Sequence, residues 1–342
     1  MSLSTICADD PQPGLADFAA ATAGDTPTSA RPWQALTRCP ACGGPLAFAT
    51  DYVCCQRDAC GRQYPISRGV PVLVDEDKSV FSIEAFLASQ PTFFKPVSRW
   101  RGLVSRVLPT IDLNVTAKKN FANFKRELIN RFGTARVLVI GGGILGTGME
   151  CLLDDPNIEL VETDASVGPR TQMICDAHDL PFADGSFQGV IVQAVLEHVL
   201  DPWRVVQEIH RVLVPGGMVY SDTPFIAQVH GREFDFHRFT RLGHRRLFRH
   251  FAELDSGITG GPMVATLWTL RYLALSCFES RPLRAAASAA ARVLLFPFKY
   301  LDYWLIKRRG ALDAAMAFYF LGTKATRPIE DKQLLASYKG GF

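Results

Sequence analysis

The sequence predicts an α/β protein: a mostly parallel sheet with helices on both faces, a small β domain ahead of it, and a helical insertion near the C-terminus. Three observations carry this. Between residues 135 and 258, short apolar runs alternate with amphipathic stretches and turn signals. Five of the nine cysteines fall between Cys39 and Cys60. Two apolar but basic stretches sit between residues 263 and 310, ahead of one last strand-like run. The 342 residues and a net charge of +3 suit roughly two domains, with no overall charge bias toward nucleic acid.

The N-terminal run, residues 1–35, is rich in Ala, Thr, Asp and Pro and reads as a disordered tail. It lacks a basic start followed by an apolar run, so no export signal is expected and the compartment is read as cytoplasmic. A reducing compartment and tight clustering make the next cysteines metal ligands rather than disulfides. They are Cys39 and Cys42, two residues apart, then Cys55 and Cys60, four apart. A structural zinc site takes four thiolate or imidazole ligands in a tetrahedron and leaves no position open for chemistry. Gly43 and Gly61 follow directly, where tight knuckles let backbone amides face the sulfurs. Cys54 precedes Cys55 in a short strand and points the other way, with Cys54 in place of Cys55 as the alternative. The region 36–75 is thus expected to be a zinc ribbon whose metal stabilises a core too small to hold alone. Free thiols in a zinc-free β-hairpin domain of the same shape are the other reading. "CPACGGPL", "C…CG" and the "YPI…G-PVL" that follows resemble the small zinc-ribbon family of tRNA-methyltransferase activator proteins over about forty residues.

A connector, 76–134, holds Phe121, Phe124, Leu128 and Phe132 at helical spacing. "ARVLVIGGGILGTGME" is then a strand buried on both faces and a glycine-rich turn. Gly141, Gly143 and Gly146 allow a sharp bend and close approach to a ligand. A helix beginning near Gly148 would aim its amides at an anion. "NIELVETDAS" is a second strand ending at Asp164, whose carboxylate can accept from a ribose diol, a spacing from the glycines that also suits a dinucleotide enzyme. Asp184-Gly185 makes a tight turn, "FQGVIVQ" a buried strand, and Asp201-Pro202 caps and opens a helix. "PGG" stops that helix, and "MVYSDTPF" is another strand. Glu197-His198 lies just past a core strand and is read as bracing the next helix; His178 and His210 are read as surface or supporting residues.

The run "CDAHDLPFADGSF…AVLEHVLDPWRVVQEIHRVLVPGG" resembles the class I S-adenosylmethionine-dependent methyltransferases of the ubiquinone/menaquinone-methyltransferase-like group, over residues 117 to 257. The resemblance implies a Rossmann-like, mostly parallel seven-stranded sheet. It implies that the Gly141–Gly146 turn holds the methionine part, that Asp164 binds the ribose and Asp176 the adenine amino group beside the backbone of Ala177, and that Gln193 sits by the sulfonium. Two positions depart from the family: Val139 where an acid is common, and Gln188 where Asp is common.

"HGREFDFHRFTR", residues 230–241, leaves the fifth strand at the carboxyl edge, where ligands of such sheets bind. It is similar to a "PF…vH…pyDf-RfT" segment of bacterial methyltransferases near glycan synthesis. His230, Asp235 or His237 could take the acceptor's proton, and Arg232 and Arg238 could hold an acidic acceptor. A structural loop leading to a helix capped by Thr240 is the alternative. The core is taken as 135–258, the insertion as 259–314, and the last strand and tail as 315–342. From Pro262 onward twelve Lys and Arg face five acids. Neither apolar stretch makes a membrane span: the first is short and broken by Arg271, the second carries Arg292, Lys299 and Asp302. Helices lying at a membrane surface are one expectation; helices packed as a lid over the active site, or on a partner subunit, are the other. The leading function is methyl transfer from S-adenosylmethionine to a glycan, lipid-linked or other small acceptor. An RNA methyltransferase gripping RNA through the ribbon, and a non-catalytic scaffold with a vestigial cofactor fold, are the competing readings.

Overall fold

The computed structural model describes residues 31–87 and 108–341. The expected disordered tail mostly lies outside them. Its described end is ordered instead: Pro32–Leu36 form a 3-10 turn that buries Trp33 edge-on against Phe48. A proline at the first position and an aromatic anchor give this short segment its shape.

One sheet of eleven strands runs through the molecule, in the order β1-β2-β3-β4-β7-β6-β5-β8-β9-β11-β10. The cysteine region supplies β1 (Leu46–Phe48), β2 (Tyr52–Cys55), β3 (Gln63–Ser67) and β4 (Val70–Leu73) as an antiparallel meander. The other seven are β5 (Ala135–Ile140), β6 (Ile158–Asp164), β7 (Met173–Cys175), β8 (Phe187–Gln193), β9 (Leu213–Pro224), β10 (Phe251–Gly260) and β11 (Ala317–Lys324). Strands β7-β6-β5-β8-β9 are parallel, and β11 inserts antiparallel between β9 and β10. β4 pairs in parallel with β7, Val72 opposite Ile174, so the small domain extends the main sheet. Its residues Trp33, Cys39, Val53, Cys55 and Tyr64 share one core with Leu180, Phe182 and Phe187. The edge that β7 would expose is thereby covered.

The helix Ala117–Phe132 buries Phe121, Phe124 and Leu128, the stripe that the spacing predicts. The helix Pro202–Val212 opens as expected, with Asp201 accepting from the Arg204 amide. It passes directly into β9 at Leu213, so Pro215, Gly216 and Gly217 lie within the strand rather than ending the helix. The helix after the glycine turn is shorter than expected. It spans only Glu150–Leu153, too short for a useful dipole at its start.

In the insertion, the helices Pro262–Ser276 and Arg281–Leu295 are pinned together by Arg271, which is 4% exposed and donates to Ser288 Oγ. Among the described residues, no helix is long and apolar enough to cross a membrane.

Candidate active site at the carboxyl edge of the sheet

The chain leaves β5 into the glycine turn at a point with no room for a side chain. Gly141 has φ +76°, and a Cβ there would lie 2.4 Å from Val195 Cγ2. The turn is tied to the end of β6: the Gly143 amide donates to Asp164 Oδ2 at 2.9 Å and the Ser166 amide to Oδ1 at 2.8 Å. Burial raises the Asp164 pKa to about 6, against the pull of these amides. A buried carboxylate held open by backbone donors still has lone pairs to offer a diol.

Gln193 ends β8 facing the same turn. Its Nε2 donates to the Thr147 carbonyl at 3.4 Å, while its buried Oε1 finds no hydrogen-bond partner among the described residues. A Cβ on Gly146 would sit 2.0 Å from that oxygen, and one on Gly168 would sit 2.3 Å from the Gly143 carbonyl. The glycines therefore line a cradle that side chains would fill. An orphaned acceptor, a cradle and a carboxylate together fit a ligand with an amine and a ribose.

Asp176, one strand further out, already has partners on both oxygens, with a lone pair left on Oδ2. Ser79 Oγ donates to its Oδ2 at 2.5 Å, and the His178 amide and Nδ1 donate to Oδ1 at 2.9 and 2.6 Å. Burial opposes its charge, but His178 and Ser79 outweigh it and hold the pKa below the usual range. Ala177 lies between these residues. Ser79 comes from the connector, and sequence reading gave no sign of it. His178 also accepts from the Asp201 amide through Nε2, so it supports the site, as expected.

Beyond Gln193 the backbone bends sharply: Ala194 has φ +54°, left-handed for a residue with a Cβ. The bend brings Glu197 and His198 toward the loop after β9. Glu197 is 1% exposed, and neither carboxylate oxygen has a hydrogen-bond partner among the described residues. His198 Nε2 lies 3.8 Å and His230 Nε2 3.7 Å from Glu197 Oε1. Burial pulls the His230 pKa down, but Glu197 and Asp235 outweigh it and hold it above the usual imidazole value. Asp222, in β9, is raised to about 7 by burial, with Glu197 adding to the effect.

Of the three expected proton acceptors, His230 reaches Glu197, and Asp235 stands behind it, 3.6 Å from His230 Nδ1. Asp235 accepts from the His230 and Gly231 amides and pairs with Arg238. Burial works against its charge, yet these donors hold its pKa well below the carboxylate range, so it clamps the loop and is a poor base. His237 faces away. Its Nε2 meets the Leu200 carbonyl, and its ring stacks on Phe239. Arg238 is also spent within the loop, on Asp235 and the carbonyls of Ala227 and Gln228. The Glu197-His198 pair, read as bracing a helix, is instead central to the cluster. Helix Pro262–Ser276 covers the loop: Gln228 donates to Thr269 Oγ1 and Tyr272 to the Val229 carbonyl. The insertion therefore packs against this loop.

At the far end of the sheet, the sulfurs of Cys39, Cys42, Cys55 and Cys60 all lie within 4.8 Å of one another. Cys54 stands outside the group. The amide facing a sulfur is that of Gly44, 3.4 Å from Cys42 Sγ, rather than Gly43's. It lowers the Cys42 thiol to about 7.

Residues 146–221 match the family described as "Methyltransferase domain". An uncharacterized methyltransferase of Mycobacterium sp. (strain JLS) is 34% identical over 185 residues, covering 50% of this chain and 68% of the relative. Another, from Mycobacterium sp. (strain KMS), is 36% identical over 111 residues, covering 30% of this chain; the chain spans 44% of that relative. A putative sarcosine dimethylglycine methyltransferase from Galdieria sulphuraria aligns in structure with TM-score 0.42 at 14% identity, over 61% of this chain and 85% of that one. The chain belongs to the S-adenosylmethionine-dependent methyltransferases.

Proposed function

We propose that the protein transfers the methyl group of S-adenosylmethionine to a hydroxyl of a glycan or lipid-linked small acceptor. The observation that carries the reading is the juxtaposition, at one sheet edge, of the orphaned Gln193 Oε1 and Asp164 with the Glu197-His198-His230 cluster. When bound, the cofactor supplies an electrophilic methyl on a sulfonium. Gly141, Gly143 and Gly146 would admit its methionine part, Asp164 would accept from the ribose hydroxyls, and Asp176 with the Ala177 backbone would meet the adenine. On the acceptor side, the cluster polarises a hydroxyl and withdraws its proton. Orienting the nucleophile in line with the methyl is the larger part of the rate. Cys39, Cys42, Cys55 and Cys60 would hold a structural zinc, for which four close thiolates are a fitting donor set.

The insertion supports a lipid-linked acceptor. Its distal segment exposes Phe298, Tyr300, Leu301, Tyr303 and Trp304, with Arg308 over the Trp304 ring at 4.6 Å. Aromatic and aliphatic side chains beside cations suit the headgroup region of a membrane, and this peripheral contact belongs to the proposal. Incubating the protein with labelled methyl donor and fractionated host lysate should put label into lipid or glycan. Flotation should carry the protein up with anionic vesicles. Label in RNA, or in no fraction, would sink the acceptor assignment; protein left at the bottom of the gradient would sink the membrane contact.

The Asp164 shift sets a pH dependence. As a carboxylate it accepts the ribose hydroxyls. Cofactor affinity should therefore be flat above about pH 7 and fall below about pH 6, up to tenfold per unit as the group takes a proton. The sign for folding is opposite. A raised pKa stabilises the empty fold below the unfolded value of about 4, and that contribution is lost as pH rises through about 6. Calorimetric titration from pH 5 to 8 checks the first statement; an affinity unchanged across that range removes Asp164 from the contact.

A further inference from the structure

The geometry points to a second metal site in this chain: Glu197, His198 and His230 hold a divalent transition-metal ion at the acceptor face. The proposal rests on the methyltransferase reading for what the ion does there, though not for whether it binds.

Both histidines are set up as ligands by their other ring nitrogen. His198 Nδ1 lies 2.7 Å from the Phe234 carbonyl, and His230 Nδ1 lies 3.1 Å from the Gln228 carbonyl. A carbonyl can only accept, so each Nδ1 carries the proton and donates it. An arriving cation displaces the second proton that Glu197 favours on His230, and each Nε2 then presents a lone pair. This arrangement, a ligating imidazole oriented by a backbone carbonyl on its far side, is the usual support of metal-bound histidine.

Both Nε2 atoms point to the same carboxylate. Glu197 is buried at 1% exposure, with neither oxygen hydrogen-bonded among the described residues. Placing an ionised carboxylate there costs several kcal/mol unless a positive charge compensates it. Its neighbours on this face are further acceptors: Asp222 lies close enough for Glu197 to disfavour its charge, and Asp235 is bound to Arg238. Three acceptor atoms thus converge within 4.8 Å. A proton shared between one imidazole and Glu197 would draw that pair to hydrogen-bond length, about 2.7–2.9 Å. The observed 3.7 and 3.8 Å are too long for that. They match the spacing of atoms gathered around an ion with bonds of about 2.0–2.2 Å, after a small rotation of the Glu197 carboxylate.

Two imidazoles and one carboxylate on one side of an ion form a donor set of first-row divalent metals that leaves other positions open. The open side is identifiable. His230 retains 28% exposure, while Gly231 closes the flank against His198, where a Cβ would lie 2.3 Å from the ring. An acceptor hydroxyl entering past His230 can take an open position. The ion lowers its pKa, and its proton leaves to solvent as it binds, which readies the oxygen for methylation.

Cobalt(II) is the probe. Supplied in place of zinc while the full-length chain is expressed, and followed by gel filtration, it should fill both the cysteine cluster and this site, two equivalents per chain by atomic emission. His198→Asn and His230→Gln should each hold one equivalent. They should keep the sulfur-to-metal charge-transfer absorption and lose the d–d bands of the nitrogen–oxygen site. His230 is at the surface, so His230→Gln keeps the comparison open if His198→Asn fails to fold. One equivalent in the parent chain, or two in a folded variant, overturns the proposal. S-Adenosylmethionine affinity should be unchanged in both variants. A parent chain that takes two equivalents of cobalt but binds no S-adenosylmethionine would instead overturn the functional reading and leave the metal site standing.

Discussion

Replacing Asp164 by alanine should weaken S-adenosylmethionine binding by at least a hundredfold. Two ribose hydroxyls donating to a buried carboxylate make charge-assisted bonds of about 1.5–3 kcal/mol each, so losing both costs on the order of 3–6 kcal/mol. The same carboxylate receives the Gly143 and Ser166 amides, so the glycine turn loosens with it. Asp164→Asn retains one acceptor oxygen and the side-chain volume and should lose less. Isothermal calorimetry on all three proteins gives the comparison. Alanine binding as tightly as aspartate would mean that the ribose lies elsewhere.

Cys39→Ser should lower the melting temperature by more than about 10 °C and take cofactor binding with it. A four-thiolate zinc site contributes on the order of 10 kcal/mol to a small domain of this kind, and in a chain this long about 1 kcal/mol moves the midpoint by ~2–4 °C. The effect should not stop at the ribbon. Cys39 is 2% exposed, its sulfur 3.1 Å from the Tyr64 hydroxyl in the core shared with Phe182 and Phe187. Ser79, just past β4, holds Asp176 in the adenine region. Differential scanning fluorimetry with and without a chelator measures the first effect, and calorimetry the second. An unmoved midpoint together with no zinc in the purified protein would show that the cysteines serve as ordinary core thiols.

What the sequence revealed follows the range of the interactions involved. Apolar runs such as Val137 to Ile140 and "FQGVIVQ" announce buried strands because their burial is written locally. Asp201-Pro202 and Thr240 announce helix starts for the same reason: the cap and the amide it satisfies lie within a turn. The grouping of the four cysteines is legible because two short spacings bring pairs of sulfurs together. The pairing of β4 with β7 was not, since a two-residue parallel contact between distant segments leaves no periodic mark. Nor was the meeting of Glu197 with His230, which depends on a left-handed turn at Ala194, a residue that rarely adopts one. The placing of His237 was not legible either, since its stacking on Phe239 and its contact with the Leu200 carbonyl leave no local pattern.

The β4–β7 pairing also bears on how the chain is made. Synthesis delivers Val72 to the folding chain about a hundred residues before its partner Ile174. Until then the cysteine meander has a raw strand edge and half of a core, with Trp33 and Tyr64 lacking the Phe182 and Phe187 they pack with. Domains usually fold as units in order of emergence, and long-range parallel pairing is slow and prone to aggregation. Here the cysteine meander must wait for a segment made about a hundred residues later. A stalled or truncated nascent chain ending before residue 173 should therefore need a chaperone to stay soluble.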